Sequence, residues 1–435
     1  MLKPEFVLAF REAAPYIHAY RGKVFVIAVS GECLAANHFS RLAQDLNLLV
    51  SLGVRIVLVH GARPQIDAQL ALRGIARRFH GARRVTDSHT MTAVKAAIGE
   101  ARHNIEAQLT MGMPNSPMHG AHLRVAGGNY VTAQPLGVLD GVDMQYAGQV
   151  RRVDSASLSA RLAAGELVLL SPIGYSPTGE AFNLTMEEIA YQSALALKAE
   201  KLIFLVEDGG LVDKTGQLHP SITIAEAKAL LDAGQGSAEV SVCLPWAIRA
   251  TEQGISRSHL VSGSEDGALL VELFTHFGSG TMIVRQSLVQ LRQASIDDIG
   301  SLLALIQPLE EQGVLVRRSR EHLEMDIQRF TLLEHDSKVF GCVALYPFAG
   351  TGMAELACLV VAPEQRTAGY GEMLLQALET QAKKDGIKSL FVLTTRTAHW
   401  FVERGFIESD PQALPVEKRQ HYNGERRSKV FIKTL

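Results

Sequence analysis

The stretch Ala354–Lys384, AELACLVVAPEQRTAGYGEMLLQALETQAKK, decides how the last third of this chain folds. Its apolar run, Leu356 to Val361, ends at Pro363, and a turn follows that carries Arg366, Gly369 and Gly371. Met373, Leu374, Ala377, Leu378 and Ala382 then recur at helical spacing. This pattern predicts a strand, a glycine-bearing turn and a helix. The first turn of such a helix leaves backbone N–H groups unpaired and presents the positive end of the helix dipole, so it seats an anionic phosphate. Glycines at 369 and 371 let the backbone approach a pyrophosphate with no Cβ in the way. A plain strand-to-helix turn can carry the same glycines, so the neighbouring sequence has to decide.

Downstream come a second apolar run, Ser389 to Thr395, and then Trp400-Phe401-x-x-x-Gly405-Phe406. In this order the elements resemble the GCN5-related N-acetyltransferase family, whose [RQ]-x-x-G-x-[GA] turn holds the pyrophosphate of acetyl-coenzyme A. The resemblance puts Arg366, Thr367, Ala368, Gly369, Tyr370 and Gly371 on the cofactor. It also implies that Cys358, Leu359 and Val360 pair through their backbone with the pantetheine arm.

At 435 residues the chain is too long for one ordinary core, and two domains are expected. Its 47% hydrophobic and 20% charged residues describe a globular protein, and a net charge of −2 gives no basic surface for nucleic acid. The first residues, MLKPEFVLAFREAAPYI, show no signal-peptide core, and no apolar run is long enough to span a membrane. Cysteines 33, 243, 342 and 358 form no C-x-x-C pair, which suits a reducing cytoplasm. His119 and His122 sit in a loop, MPNSPMHGAH, without partner cysteines, so no metal site is expected.

Phe6, Phe10 and Ala13/Ala14 share a helical face, and Pro15 suits the first turn of a second short helix ending near Gly22. This leading segment serves either packing or contact with another subunit. From Lys23 apolar strands alternate with helices: KVFVIAVSGE, a helix from His38, VRIVLVHG, GELVLLSPIG, a helix from Met186 and KLIFLVED. Such alternation argues for a mostly parallel sheet covered on both faces, with ligands at the strand ends.

Val59-His60-Gly61-Ala62-Arg63-Pro64-Gln65-Ile66, Arg84-Val85-Thr86-Asp87, Phe182-Asn183-Leu184 and Ala199-Glu200-Lys201-Leu202-Ile203 together resemble the amino-acid kinase family. The departures matter as much. Where the kinases carry K-x-G-G, this chain reads Ala28-Val29-Ser30-Gly31. Glu187 stands where an aspartate belongs, Arg63 replaces a glycine, and the later lysine segment has no counterpart near Val240–Arg249. Phosphoryl transfer rests on positioning and charge neutralisation, so this half is expected to keep the fold and lose the chemistry.

Its last segment contains Glu272-Leu273-Phe274-Thr275 and Gly278-x-Gly280-Thr281, similar to the end of arginine-sensitive members of the family. The resemblance implies an arginine site formed by Tyr16, Lys201, Glu272 and Gly278. A carboxylate such as Glu272 suits a guanidinium or α-ammonium group. The expected architecture is therefore α/β throughout: a three-layer amino-acid-kinase-like domain over residues 1–284, silent and arginine-sensing, then an acetyltransferase domain over 285–435. A capping box at Ser295-x-x-Asp298 opens the second domain's first helix.

Joined in this order, the halves resemble the bacterial N-acetylglutamate synthase family. That implies acetyl-CoA as co-substrate, L-glutamate as acceptor, L-arginine as inhibitor and a homo-oligomer, a ring of six by family likeness. A dicarboxylate needs fixed, planar cations. Two arginine clusters supply them, Arg317-Arg318-Ser319-Arg320 and Arg426-Arg427-Ser428-Lys429. Read without the family, each is a solvated charge run. The family's R-x-S-K places Arg426 and Ser428 on glutamate, and Arg318 is the choice from the first cluster, with Arg320 close behind. The substrate amine, with a pKa of about 8 or above, must lose a proton before attack. Glu355 is the one carboxylate beside the apolar run and serves as base, directly or through a water, its basicity raised by burial. Thr394 can donate to the departing thiolate, and Cys358 is left to packing and backbone pairing. The competing readings are an active kinase with an attached acetyltransferase and a non-catalytic arginine-binding regulator.

Overall fold

The computed structural model describes residues 4–35, 39–213, 216–276, 278–336, 338–363, 369–420, 422 and 428–435. Two compact units divide the chain, Met1–Ser287 and Leu288–Leu435.

The first unit is built on an eight-stranded sheet. Its strands run, edge to edge, through 221–223, 281–284, 257–262, 201–206, 24–29, 55–60, 167–170 and 125–126. All pair in parallel except 257–262 with 281–284. The central strands Val24–Val29 and Lys201–Val206 are apolar along nearly their whole length because helices bury both faces. A smaller four-stranded sheet (181–183, 173–175, 131–135, 148–153) stands beside it. Loops after Val24–Val29 and Arg55–His60 meet so closely that a Cβ on Gly61 would lie 2.7 Å from the Gly31 nitrogen. The leading segment is one helix, Pro4–Tyr20, with Pro15 inside it, and not two short ones. Tyr20 is buried against Phe25 and Phe274, and that packing carries the helix through the proline. Its first half is different: Phe6, Leu8 and Phe10 are 65%, 60% and 59% exposed.

The second unit is a seven-stranded sheet in the order 289–293, 330–335, 338–348, 353–361, 389–394, 429–434, 407–409. One apolar face packs under the helices Tyr370–Lys384 and Ala398–Val402, the other under Ile299–Glu311 and Arg320–Asp326. The capping box at Ser295 forms, with Asp298 bonded to the Ser295 N–H at 2.8 Å. Neighbouring strands are antiparallel except at the centre, where Met353–Glu355 pairs in parallel with Ser389–Phe391. That pairing stops after three residues while both strands continue, to Val361 and to Thr394. The sheet therefore opens into a wedge at its middle.

Candidate functional site

The wedge has a local cause. Opposite Ala344 and Cys342 the register of Met353–Val361 slips, and Cys358 takes a left-handed backbone, φ +49°. An extra residue in one strand bends it away from its neighbour. Beyond Glu355, among the described residues, the strand's inner edge then has no partner strand, so its backbone is open to an extended ligand. Across the turn, Gly369 adopts φ +75° as the N-cap of Tyr370–Lys384, and among the described residues no side chain caps this end. The helix start is thus open to an anion. Gly371 packs under Trp400, to which a Cβ would come within 3.2 Å. Tyr370 turns its ring edge-on to Phe340. Arg366, Thr367 and Ala368 lie outside the described residues, as does Arg426.

Between the splayed strands lies a cavity of about 330 Å³, within the range of small-ligand sites. Glu355, Cys358, Leu359, Thr394, Arg318 and Ser428 all line it. Sequence separations of more than a hundred residues are thereby collapsed into one chamber. The geometry separates the arginines of the first cluster. Arg320 is spent on Glu324 at 2.8 Å on an exposed helix face. Arg318 instead precedes that helix, hydrogen-bonds Tyr346 and faces Cys358 and Glu355. Burial works against its charge, and these neighbours more than offset it, so the guanidinium sits above its ordinary range. Burial lifts the Cys358 thiol to about 11, despite Arg318, so it stays protonated at neutral pH. The Thr394 hydroxyl accepts from the Thr397 N–H at 3.1 Å and lies 2.9 Å from the Thr397 hydroxyl, fixed at the cavity wall.

Two residues escaped sequence reading. Lys418 places its ammonium 2.6 Å from the Glu355 carboxylate, so Glu355 is ion-paired and not alone in an apolar setting. Tyr422 donates its hydroxyl to the Ser428 carbonyl at 2.6 Å and so holds the chain entering the last strand. Lys418 sits in a short charged run, VEKRQ, with no periodic signal to mark it.

In the first unit the four residues of the proposed arginine site gather in one neighbourhood. Glu272 is almost wholly buried; it accepts from the Ser279 and Gly280 N–H groups at 2.8 Å each and from His259. Burial opposes its charge, and these bonds outweigh it, holding the carboxyl below its usual range. Burial, helped by Lys201, drops His259 to about 4. The neutral ring then donates from Nδ1 to Glu272 and accepts at Nε2 from Lys201, 3.1 Å away. Gly278 has φ +65°, and a Cβ there would land 2.2 Å from Glu272 Oε2. Lys201 stands 5.3 Å over the Tyr20 ring, and Tyr16 reaches His276 at 3.4 Å. Glu272 is therefore not an open acceptor: it already braces its own turn.

The kinase-like crevice is small, about 80 Å³, at the ends of strands 24–29 and 55–60. Arg63 and Glu187, two of the residues that depart from the kinase pattern, pair across it at 3.2 Å. Ala28 is fully buried in the core and offers no cation to a phosphate. Burial, with the adjoining Glu239 carboxylate adding to it and a backbone bond partly offsetting it, raises Glu32 to about 7 from 4.5. A carboxyl that holds its proton more tightly when folded costs stability as pH rises from 4.5 through 7. Glu32→Gln should accordingly raise the melting temperature at pH 8 and leave it nearly unchanged at pH 4, as thermal unfolding at both values will show. An equal effect at both would refute the raised Glu32 pKa.

Among the described residues no cluster of His, Cys, Asp or Glu is placed to hold a metal, and no helix is long and apolar enough to cross a membrane.

Comparison with known proteins divides the chain the same way. Residues 23–262 match the amino acid kinase family and residues 300–406 the acetyltransferase (GNAT) family. The amino-acid acetyltransferase of Pseudomonas aeruginosa is 49% identical over 432 residues, covering 99% of this chain and 100% of that protein. The crystal structure of N-acetylglutamate synthase from Neisseria gonorrhoeae complexed with coenzyme A and L-arginine matches with a TM-score of 0.80 and 39% identity, over 99% of each chain. The same enzyme complexed with coenzyme A and N-acetyl-glutamate matches with a TM-score of 0.62 and 40% identity, again over 99% of each chain.

Proposed function

The chain belongs to the amino-acid acetyltransferase family, and from that premise we propose that it is an N-acetylglutamate synthase: it transfers acetyl from acetyl-CoA to the α-amine of L-glutamate and is inhibited by L-arginine. The observation that carries this reading is the wedge in the second sheet, with Glu355 and Arg318 facing one cavity. The pantetheine arm lies along Cys358–Val360, and its pyrophosphate sits on the turn through Gly369 and Gly371. Arg318, with Arg426 and Ser428, takes the side-chain carboxylate of glutamate. Glu355 accepts a proton from the ammonium group, and the freed amine attacks the thioester carbonyl. The C–N bond forms, the C–S bond breaks, and the thiolate leaves beside the Thr394 hydroxyl and takes up the second proton that the nitrogen sheds on becoming an amide. The first unit contributes no phosphoryl transfer, because Arg63 and Glu187 fill its crevice with a pair of their own. Acetyl-CoA consumption measured against the twenty amino acids, with and without arginine, tests the assignment: activity confined to glutamate and suppressed by arginine supports it, and activity on another amino acid alone removes it.

Arginine binds near Tyr16, Lys201, Glu272 and Gly278 and acts through subunit packing in a cytoplasmic ring of six. Support comes from the leading helix, whose second half is anchored while Phe6, Leu8 and Phe10 stand exposed. An effector's leverage equals its differential affinity for two arrangements, and an assembly contact gives such a pair. Removing residues 1–12 spares Tyr16 and Tyr20; it should abolish arginine inhibition with acetyl transfer largely intact. Glu272→Gln should do the same, since it keeps the shape of the turn and loses the charge; Glu272→Ala would also strip the turn of its bonds. Arginine dose–response with solution mass checks both, and undiminished inhibition in both would place arginine elsewhere.

A further inference from the structure

Among the described residues that line the cavity, three carry charge: Arg318, Lys418 and Glu355. Two cations and one carboxylate are the complement of glutamate, which has two carboxylates and one ammonium. Arg318 accounts for one carboxylate and Glu355 for the amine, which leaves Lys418 and the α-carboxylate. Their spacing agrees. The α-ammonium and α-carboxylate share one carbon, so they are held as close together as an ion pair, and Lys418 and Glu355 stand 2.6 Å apart. Both side chains are largely sheltered, 25% and 13% exposed. An amino-acid head group laid against this pair meets opposite charge at both ends.

Resting on the synthase reading above, we propose that Lys418 recognises the α-carboxylate of the substrate, giving up Glu355 to it when glutamate enters. In the empty site the two residues satisfy each other, which keeps the sheltered carboxylate from standing unpaired. When substrate enters, the Lys418 ammonium moves to the α-carboxylate, and the Glu355 oxygen it occupied becomes available to the amine. Selection for α-amino acids over simple amines follows, because an amine without the adjacent carboxylate leaves the Lys418–Glu355 bond in place and the base occupied.

The test compares kcat/KM for L-glutamate, its α-amide (isoglutamine) and its γ-amide (glutamine). A charge-assisted hydrogen bond to a sheltered group sets the expected scale, so wild type should prefer glutamate over isoglutamine by roughly 30- to 100-fold. Lys418→Met should compress that ratio to within about threefold and leave the glutamate-to-glutamine ratio unchanged, because the side-chain carboxylate belongs to Arg318. Lys418→Arg should keep both ratios, and serves if the methionine variant fails to fold; acetyl-CoA binding by calorimetry reports folding. An isoglutamine ratio undiminished in Lys418→Met, or a loss of the isoglutamine ratio in Lys418→Arg, overturns the proposal, as does an equal collapse of both ratios. These outcomes leave the synthase reading standing as long as wild type acetylates glutamate. Wild type inactive on glutamate overturns both.

Discussion

Gly371→Asp should abolish acetyl-CoA binding and leave the second unit folded. The residue lies in the first turn of Tyr370–Lys384, whose N-cap, Gly369, has no side chain to offer. A carboxylate there suits the helix dipole, so the fold gains slightly if anything. The added Cβ meets the Trp400 ring at 3.2 Å, a contact the ring can relieve by a small shift. A pyrophosphate arriving at the same N–H groups meets a negative charge instead of an open seat. Two like charges about 4 Å apart repel by about 4 kcal/mol at an intermediate dielectric, enough to lower affinity by about 10³-fold. Calorimetry of acetyl-CoA binding checks this, with circular dichroism to confirm folding. Gly371→Ala, which adds bulk without charge, should cost far less. Normal binding by the aspartate variant would mean that the pyrophosphate lies elsewhere.

Glu355→Gln should lower kcat by about 10²-fold or more at neutral pH, with the KM for glutamate little changed. Glutamine keeps the size of the side chain and cannot take up the proton of the amine. Thr394→Val should cost less. A thiol with a pKa of about 8.5 is a good leaving group, and the threonine hydroxyl is already committed to its own turn through Thr397. Steady-state kinetics on both variants separates the roles. Comparable small losses in the two would remove the base from Glu355.

The order of strand, turn and helix around Gly369 was legible because apolar periodicity and glycine position are local signals, as were the parallel strands of the first unit. Arg318 was picked from the cluster Arg317–Arg320 for a different reason, that a dicarboxylate calls for a planar cation, and the structure brings it to the cavity wall. Its separation from Arg320 was not legible, since two residues on a chain entering a helix differ only in which way they face. The continuous helix through Pro15 was misjudged because the ring packing of Tyr20 outweighs the local preference that the proline expresses. Lys418 and the His259 link between Lys201 and Glu272 were invisible for the same reason. Each joins residues far apart in sequence, and nothing near either partner announces the other. The bulge at Cys358, on which the whole wedge depends, carries no glycine to advertise it.

On the placement proposed above, acetyl-CoA becomes the missing strand of the sheet. Among the described residues, one edge of 356–361 has no partner strand at the centre of an otherwise continuous β-structure. A ligand that completes a sheet holds the folded state by mass action, about 2.7 kcal/mol when present at a hundred times its dissociation constant. On that placement, the lifetime of the protein against proteolysis is tied to the supply of acetyl-CoA. A cell short of acetyl groups would lose not only the turnover of this enzyme but copies of the enzyme itself.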